Sequence, residues 1–277
     1  MTLPLSWTDD RLEQFAAEGP PPLPVGGAWL DRDGARIWFA DLGAGPPVVL
    51  LHGGMGSADN FGHQVPALLA AGYRVIVVDS RGQGRSSWDG RPFSYAQMAD
   101  DLAAILDRLA LPSAAIIGWS DGACTGLALA KAAPERVAGL LFFACNVAPG
   151  GTWPFEMTPT IERFLGRIQA DYAALSPAPD FEAMAQALQV MQSSQPDYSA
   201  DELRAVTVPV TVALAEHDEF IRPEHARYIA QTIPAAALVE LPGVSHFAPL
   251  QRPALFTATV LAFLGRIGWR RYSVTAR

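Results

Sequence analysis

The stretch Gly118-Trp119-Ser120-Asp121-Gly122 sets a serine between two glycines, each two positions away. A serine hydroxyl is a weak nucleophile until a base takes its proton and a pair of donors receives the charge that develops on the attacked carbonyl. The spacing suits that chemistry if Ser120 stands on a turn so tight that side chains at 118 and 122 would collide. Ala114-Ala115-Ile116-Ile117 before it and Ala123 to Leu129 after it supply the context, a strand running through a turn into a helix. A strained turn there holds Oγ above the sheet. The helix N-terminus behind it aims free N–H groups at a developing negative charge.

The serine needs a base, and the base needs an orienting acid. Five histidines compete for the first role. His246 follows the strand-like run Ala237 to Leu241 in a glycine-containing loop, and the carboxyl ends of parallel strands are where such sheets carry their sites. His63 and His225 fall at or within helical stretches and read as solvated surface residues. His217 neighbours the candidate acid and is expected to point away from it. Asp218 follows the strand-like run Val210 to Ala215, while Glu216 and Glu219 beside it read as solvated carboxylates. In this arrangement Asp218 fixes the imidazole tautomer and stabilises the imidazolium. Asp121, next to the serine, faces either the pocket or a hydrogen-bond network behind the turn. Asp79 and Asp101 read as structural.

These residues must be positioned by a scaffold, and the hydrophobic pattern supplies one. Strand-like runs occur at Ala28–Asp31, Ala35–Asp41, Pro47–Leu51, Arg74–Val78, Ala114–Gly118, Val137–Cys145, Val210–Ala215 and Ala237–Leu241. Arg32-Asp33-Gly34 is a hairpin signal between the first two. Helical stretches are expected at Gln64–Ala71, Tyr95–Leu109, Ala123–Ala133, Pro223–Thr232 and Pro253–Gly265. Buried-type strands alternating with helices predict an α/β protein whose mostly parallel sheet is covered on both faces. After Cys145 the rhythm stops. Residues 146–205 hold helical stretches around Thr158–Ala174 and Asp180–Met191, with prolines between them, and read as an insertion. Residues 1–27 read as an arm, with a short helix over Thr8–Ala17 and then an extended Gly19-Pro20-Pro21-Pro22-Leu23-Pro24.

With these motifs in place, the chain resembles the α/β-hydrolase-fold serine hydrolases, from about Ala28 to Gly265. Leu50-Leu51-His52-Gly53-Gly54 is similar to the family's oxyanion loop, a position where His52 shapes the loop. Val78 to Ser86 is similar to its next strand-end loop, with Gln83 where His is more usual. Ala215-Glu216-His217-Asp218 and Gly243-Val244-Ser245-His246 resemble its acid and histidine loops, and the insertion resembles its helical cap. The resemblance implies an eight-stranded sheet, with residues 28–145 and 206–277 forming the core and 146–205 the cap. Chain order Ser120, Asp218, His246 matches the family's. The acid position that some members use instead, after the strand ending at Cys145, holds the uncharged Asn146. The oxyanion donors are expected to be the N–H groups of Gly54 and Asp121, with Met55 as runner-up to Gly54. Met55, Trp119, Trp153, Phe155 and Phe247 are expected to bind substrate. Trp153, Phe155, Met157 and Phe164 form either a pocket roof or the insertion's own core.

Composition narrows the remaining classes. Half of the 277 residues are hydrophobic, which excludes a disordered chain. The longest apolar run, Val137 to Cys145, is too short for a membrane-spanning helix, which needs about 20 residues. The net charge of −8 argues against nucleic acid and anionic membranes as partners. No secretory signal is apparent, so a cytoplasmic location is expected. Lys131, the sole lysine, lies late in a helix and suits neither Schiff-base nor phosphate-loop chemistry. Cys124 and Cys145 read as core thiols, and no metal-binding spacing or dinucleotide loop occurs.

The expectation is a hydrolase of carboxylic esters, thioesters or lactones, working through an acyl-enzyme without cofactor or metal. It would act on a small-molecule substrate as a monomer or homodimer. The alternatives on the same triad are a cofactor-free haloperoxidase (perhydrolase) and a carbon–carbon bond hydrolase. A ligand-binding receptor with little turnover is the non-enzymatic alternative. Haloalkane dehalogenases and epoxide hydrolases carry Asp where this chain has Ser120.

Overall fold

Strand and helix alternate over residues 47–143 and again from 210, because most strands there are short apolar runs buried on both faces and the helices between them cover the sheet. A computed structural model describes residues 10–24 and 26–269. In order the elements are α1 (Leu12–Glu18), β1 (Ala28–Arg32), β2 (Ala35–Leu42), β3 (Pro47–Leu51), α2 (Gln64–Ala70), β4 (Arg74–Val78), α3 (Tyr95–Arg108), β5 (Ala114–Trp119) and α4 (Asp121–Ala132). Then come β6 (Val137–Phe143), α5 (Pro159–Leu175), α6 (Phe181–Ser194), α7 (Ala200–Arg204), β7 (Val210–His217), α8 (Pro223–Thr232), β8 (Ala237–Ser245), α9 (Ala248–Gln251) and α10 (Pro253–Arg266). The start of the expected arm helix, Thr8 and Asp9, and the tail from residue 270 lie outside the described residues.

One eight-stranded sheet runs in the order β1-β2-β4-β3-β5-β6-β7-β8. β2 pairs antiparallel with β1 and β4, and every other pairing is parallel. The β1–β2 hairpin turns on Asp33 and Gly34, with φ of 44° and 81°, the left-handed conformations a two-residue turn of this hand requires. Every residue of β3 and of β5 is buried, since helices cover both faces of the sheet centre. One core layer joins the inner faces of α3, α4 and α8 to the sheet, and the other joins α2 and α10 to the opposite side. α3 starts where Ser94 accepts the Gln97 N–H at 3.1 Å, and it buries Met98, Leu102, Ile105 and Leu106. Among the described residues no helix is long and apolar enough to cross a membrane.

The segment between β6 and β7 carries α5, α6 and α7. α5 begins at Thr158, whose hydroxyl accepts the Ile161 N–H, with Pro159 in the first turn. α6 begins at Asp180 in the same way, through the Ala183 N–H. Two strands end elsewhere than the pattern suggested. β8 runs on past Leu241 to Ser245, with Gly243 at a φ of 62° within it, so it delivers His246 directly from the sheet edge. β6 stops at Phe143, because Ala144 turns to a φ of 55°.

Candidate active site

The sharpest turn in the fold lies between β5 and α4. Ser120 has φ 53° and ψ −123°, a strained conformation for a residue with a side chain. Its N–H donates to the Phe143 carbonyl at 2.9 Å, and its own carbonyl accepts from Ala123 and Cys124. A methyl group on Gly118 would stand 2.4 Å from the Ala123 Cα, and one on Gly122 would stand 2.2 Å from the Leu51 carbonyl oxygen. Both obstacles are backbone, so the two glycines are steric requirements of the turn.

β7 and β8 bring up the other two groups. Asp218 follows β7, and its Oδ1 accepts the N–H groups of Phe220 and Ile221, each at 2.9 Å. The same oxygen lies 2.9 Å from His246 Nδ1, with both side chains buried. A carboxylate there makes Nδ1 the protonated nitrogen and leaves Nε2 free to accept a proton. Burial works to lower the His246 pKa, but the charge and hydrogen bond of Asp218 carry it above the ordinary value. Trp119 Nε1–H donates to the His246 carbonyl at 2.9 Å, which ties the serine's strand to the histidine's loop. Ser120 and His246 line one cavity of about 180 Å³.

The loop after β3 supplies the opposite wall. His52 Nε2 accepts the Ser80 N–H at 3.0 Å and Nδ1 lies 2.7 Å from the Gly53 carbonyl, so both nitrogens are engaged in shaping the loop. Burial holds its pKa down at about 4, which keeps it neutral. Among the described residues, the N–H groups of Gly54 and Asp121 have no hydrogen-bond partner. Met55 N–H is different: it donates to Gln83 Oε1 at 2.6 Å. The runner-up donor is therefore already occupied, and the residue that stands where His is more usual locks the loop.

Asp121 satisfies parts of both expectations. It lines the cavity, yet its Oδ1 accepts from the Tyr95 hydroxyl at 2.8 Å and its Oδ2 from Gln192 Nε2 at 2.9 Å. Burial raises its pKa, against the hydrogen bonds of Tyr95 and Gln192. Tyr95 comes from α3 and Gln192 from α6, so this carboxylate joins the core to the insertion beside Gly54.

Of the expected substrate-binding residues, Met55, Trp119 and Phe247 line the cavity. Trp153 and Phe155 do not. They are 39% and 63% exposed, Trp153 lying under Arg222 and Phe155 stacked on Phe220, because the chain after Gly151 runs outward along the β7 loop before α5 begins. Their places are taken by Ile161, Phe164 and Leu165 of α5 and by Phe220. Phe164 is buried at the cavity rather than in a separate core of the insertion. Two residues read as solvated are not. His225 Nε2 accepts the Val147 N–H at 3.0 Å, and Glu219 Oε2 accepts the His246 N–H at 2.9 Å. Glu219 is pushed up in pKa by burial, a consequence of packing against the histidine loop. Tyr95, Gln192 and Glu219 act through tertiary contacts, and no local pattern signals them.

A family model for the alpha/beta hydrolase fold matches residues 46–195. A protein named as a carbamate hydrolase, RutD of Azorhizobium caulinodans, is 28% identical over 259 residues, 84% of this chain and 96% of that protein. Among solved structures, Est816, described as an N-acyl homoserine lactone degrading enzyme, superposes with a TM-score of 0.74 at 25% identity, covering 85% of this chain and all of that one. A thermophilic esterase from Thermogutta terrifontis matches in fold with a TM-score of 0.72 at 24% identity, covering 88% of this chain and 99% of that one.

Proposed function

Since the chain belongs to the alpha/beta hydrolase family, we propose that it is a serine hydrolase that cleaves a carboxylic ester, thioester or lactone through an acyl-enzyme. The observation that carries this reading is Ser120, held at a φ of 53° in the same cavity as a histidine whose far nitrogen is pinned by a buried aspartate. Ser120 Oγ attacks the carbonyl carbon as His246 Nε2 takes its proton. The oxyanion that forms is received by the N–H groups of Gly54 and Asp121, each worth about 3 kcal/mol in the transition state. The tetrahedral intermediate collapses as His246 returns the proton to the leaving alcohol, thiol or lactone oxygen. Water, deprotonated by His246, then attacks the acyl carbon; the bond to Ser120 Oγ breaks, the carboxylic acid leaves, and His246 returns the proton to Ser120 Oγ. Asp218 holds the imidazole tautomer and stabilises the imidazolium.

The helices inserted between β6 and β7 serve as a cap in this reading, because Ile161, Phe164, Leu165 and Gln192 come from them. A cavity of about 180 Å³ accommodates a small acyl group. The likeness to Est816 supports a lactone or related ester as substrate. The test is covalent labelling by a fluorophosphonate probe together with turnover of p-nitrophenyl butanoate. Both are expected in the native chain, and both are lost in Ser120→Ala. Labelling without turnover would instead favour a ligand-binding protein of this fold.

A further inference from the structure

The arm before β1 has no counterpart in the family resemblance, yet its described residues pack behind the cavity wall. α1 buries Leu12 and Phe15. The Phe15 ring stacks on Phe164 with centroids 5.5 Å apart and planes at 25°. Phe164 stacks in turn on Phe247 at 4.0 Å and meets the edge of Trp119 at 5.9 Å. Phe164 and Phe247 line the cavity, and Phe247 follows the histidine. Phe15 does not line the cavity; it stands behind the ring that does.

The arm is held at both ends of this stack. On the core side, Arg11 N–H donates to the Gln251 carbonyl at 2.6 Å, and Gln251 Nε2 donates to Asp10 Oδ2 at 2.9 Å. The same Gln251 side chain is fully buried and accepts the Ser245 N–H at 2.7 Å, one residue before His246. On the insertion side, Glu13 pairs with Arg163 of α5. α1 therefore contacts α5 and α9 together and bridges the inserted helices to the histidine loop.

We infer that Phe15 is a positioning residue that fixes Phe164 as the end wall of the acyl site and so limits the length of a straight acyl chain. The inference rests on the hydrolase reading proposed above and extends it to substrate size. Phe164 has Phe15 on one side and Phe247 on the other. With Phe15 in place the Phe164 ring is held between two aromatic rings. Truncating Phe15 to alanine vacates on the order of 100 Å³ behind the wall, about the volume of four methylene groups. The Phe164 ring can then retreat into that space, and the cavity lengthens at its apolar end.

The experiment uses the full chain and the series Phe15→Leu, Phe15→Val and Phe15→Ala. Its readouts are kcat/KM for p-nitrophenyl butanoate and octanoate, calorimetric binding of butanamide and octanamide, and Tm. The octanoate-to-butanoate ratio is expected to stay within threefold of the native value for leucine and to rise for valine. For alanine it is expected to rise at least tenfold, mostly through a lower KM for octanoate, with octanamide binding tightening in parallel. A purely structural role for the arm would lower Tm and both rates together and leave the ratio flat. A flat ratio and unchanged amide binding across the variants that fold would overturn the inference. If the native chain turns over neither ester but octanamide binding still tightens along the series, the hydrolase reading fails and the wall stands.

Discussion

Asp218→Asn isolates the charge of the acid from its geometry. Asp218 Oδ1 accepts three donors, the N–H groups of Phe220 and Ile221 and His246 Nδ1. Its Oδ2 is buried and has no hydrogen-bond partner among the described residues. An asparagine at this position keeps its oxygen toward the three donors, because the flipped amide would set NH₂ against two backbone N–H groups. The imidazole thus keeps its tautomer, and the orphaned amide NH₂ costs about 1–3 kcal/mol of stability. What is lost is the charge beside a forming imidazolium. Two unit charges roughly 4 Å apart at an effective dielectric near 20 interact by about 4 kcal/mol. At about 1.4 kcal/mol per decade, kcat/KM is expected to fall by about 10³. The pH profile must move as well. Burial lowers the His246 pKa and Asp218 more than offsets it, so the base is neutral and active above a raised native midpoint. Without the carboxylate, burial acts unopposed by Asp218 and the rising limb of kcat/KM moves to lower pH. The assay is p-nitrophenyl butanoate hydrolysis from pH 5 to 9 for both proteins. A loss under tenfold, or a midpoint that does not move, would refute the assigned role of Asp218.

Asp121→Asn tests the carboxylate beside the serine: about four lone-pair sites are available and the structure uses two. Esters bearing an amine near the carbonyl are expected to lose at least tenfold in kcat/KM relative to neutral isosteres, which should change little because the proposed oxyanion donor at 121 is backbone. Equal loss for both classes would mean that Asp121 serves only to join Tyr95 and Gln192. Gly122→Ala drives a methyl against the Leu51 carbonyl, 2.2 Å away. About 2 kcal/mol of destabilisation and a Tm lower by roughly 4–8 °C are expected in calorimetry, with slower fluorophosphonate labelling; an unchanged Tm would show that the turn has room.

The parts of the site legible in the sequence are those set by local steric rules. Gly118 and Gly122 announced the turn because only glycine clears Ala123 and Leu51 there. Asp218 and His246 could be placed because each ends a strand whose apolar run is plain. The pocket was less legible for the opposite reason. Trp153 and Phe155 are large and apolar, as a pocket roof would require, but which way the chain leaves Gly151 is decided by contacts with Phe220 and Arg222 that lie far along the sequence. Glu219 carried no sign that its carboxylate would meet the His246 N–H, since that contact spans 27 positions. The same holds for Gln83, whose bond to Met55 removes a donor that local sequence left open. The arm's part in the site depends on Phe15 meeting Phe164 across almost 150 residues, and no periodicity encodes such a pairing.

The central claim is that Ser120 carries the acyl group. Its most direct test is the intact mass of the protein, acid-quenched within milliseconds of mixing with p-nitrophenyl butanoate, followed by peptide mapping. One butanoyl adduct per chain is expected on the peptide that contains Ser120, formed as p-nitrophenolate is released. The adduct should be absent in Ser120→Ala and too slow to form in His246→Ala. Undiminished turnover by Ser120→Ala, or an adduct mapped to another residue, would contradict it.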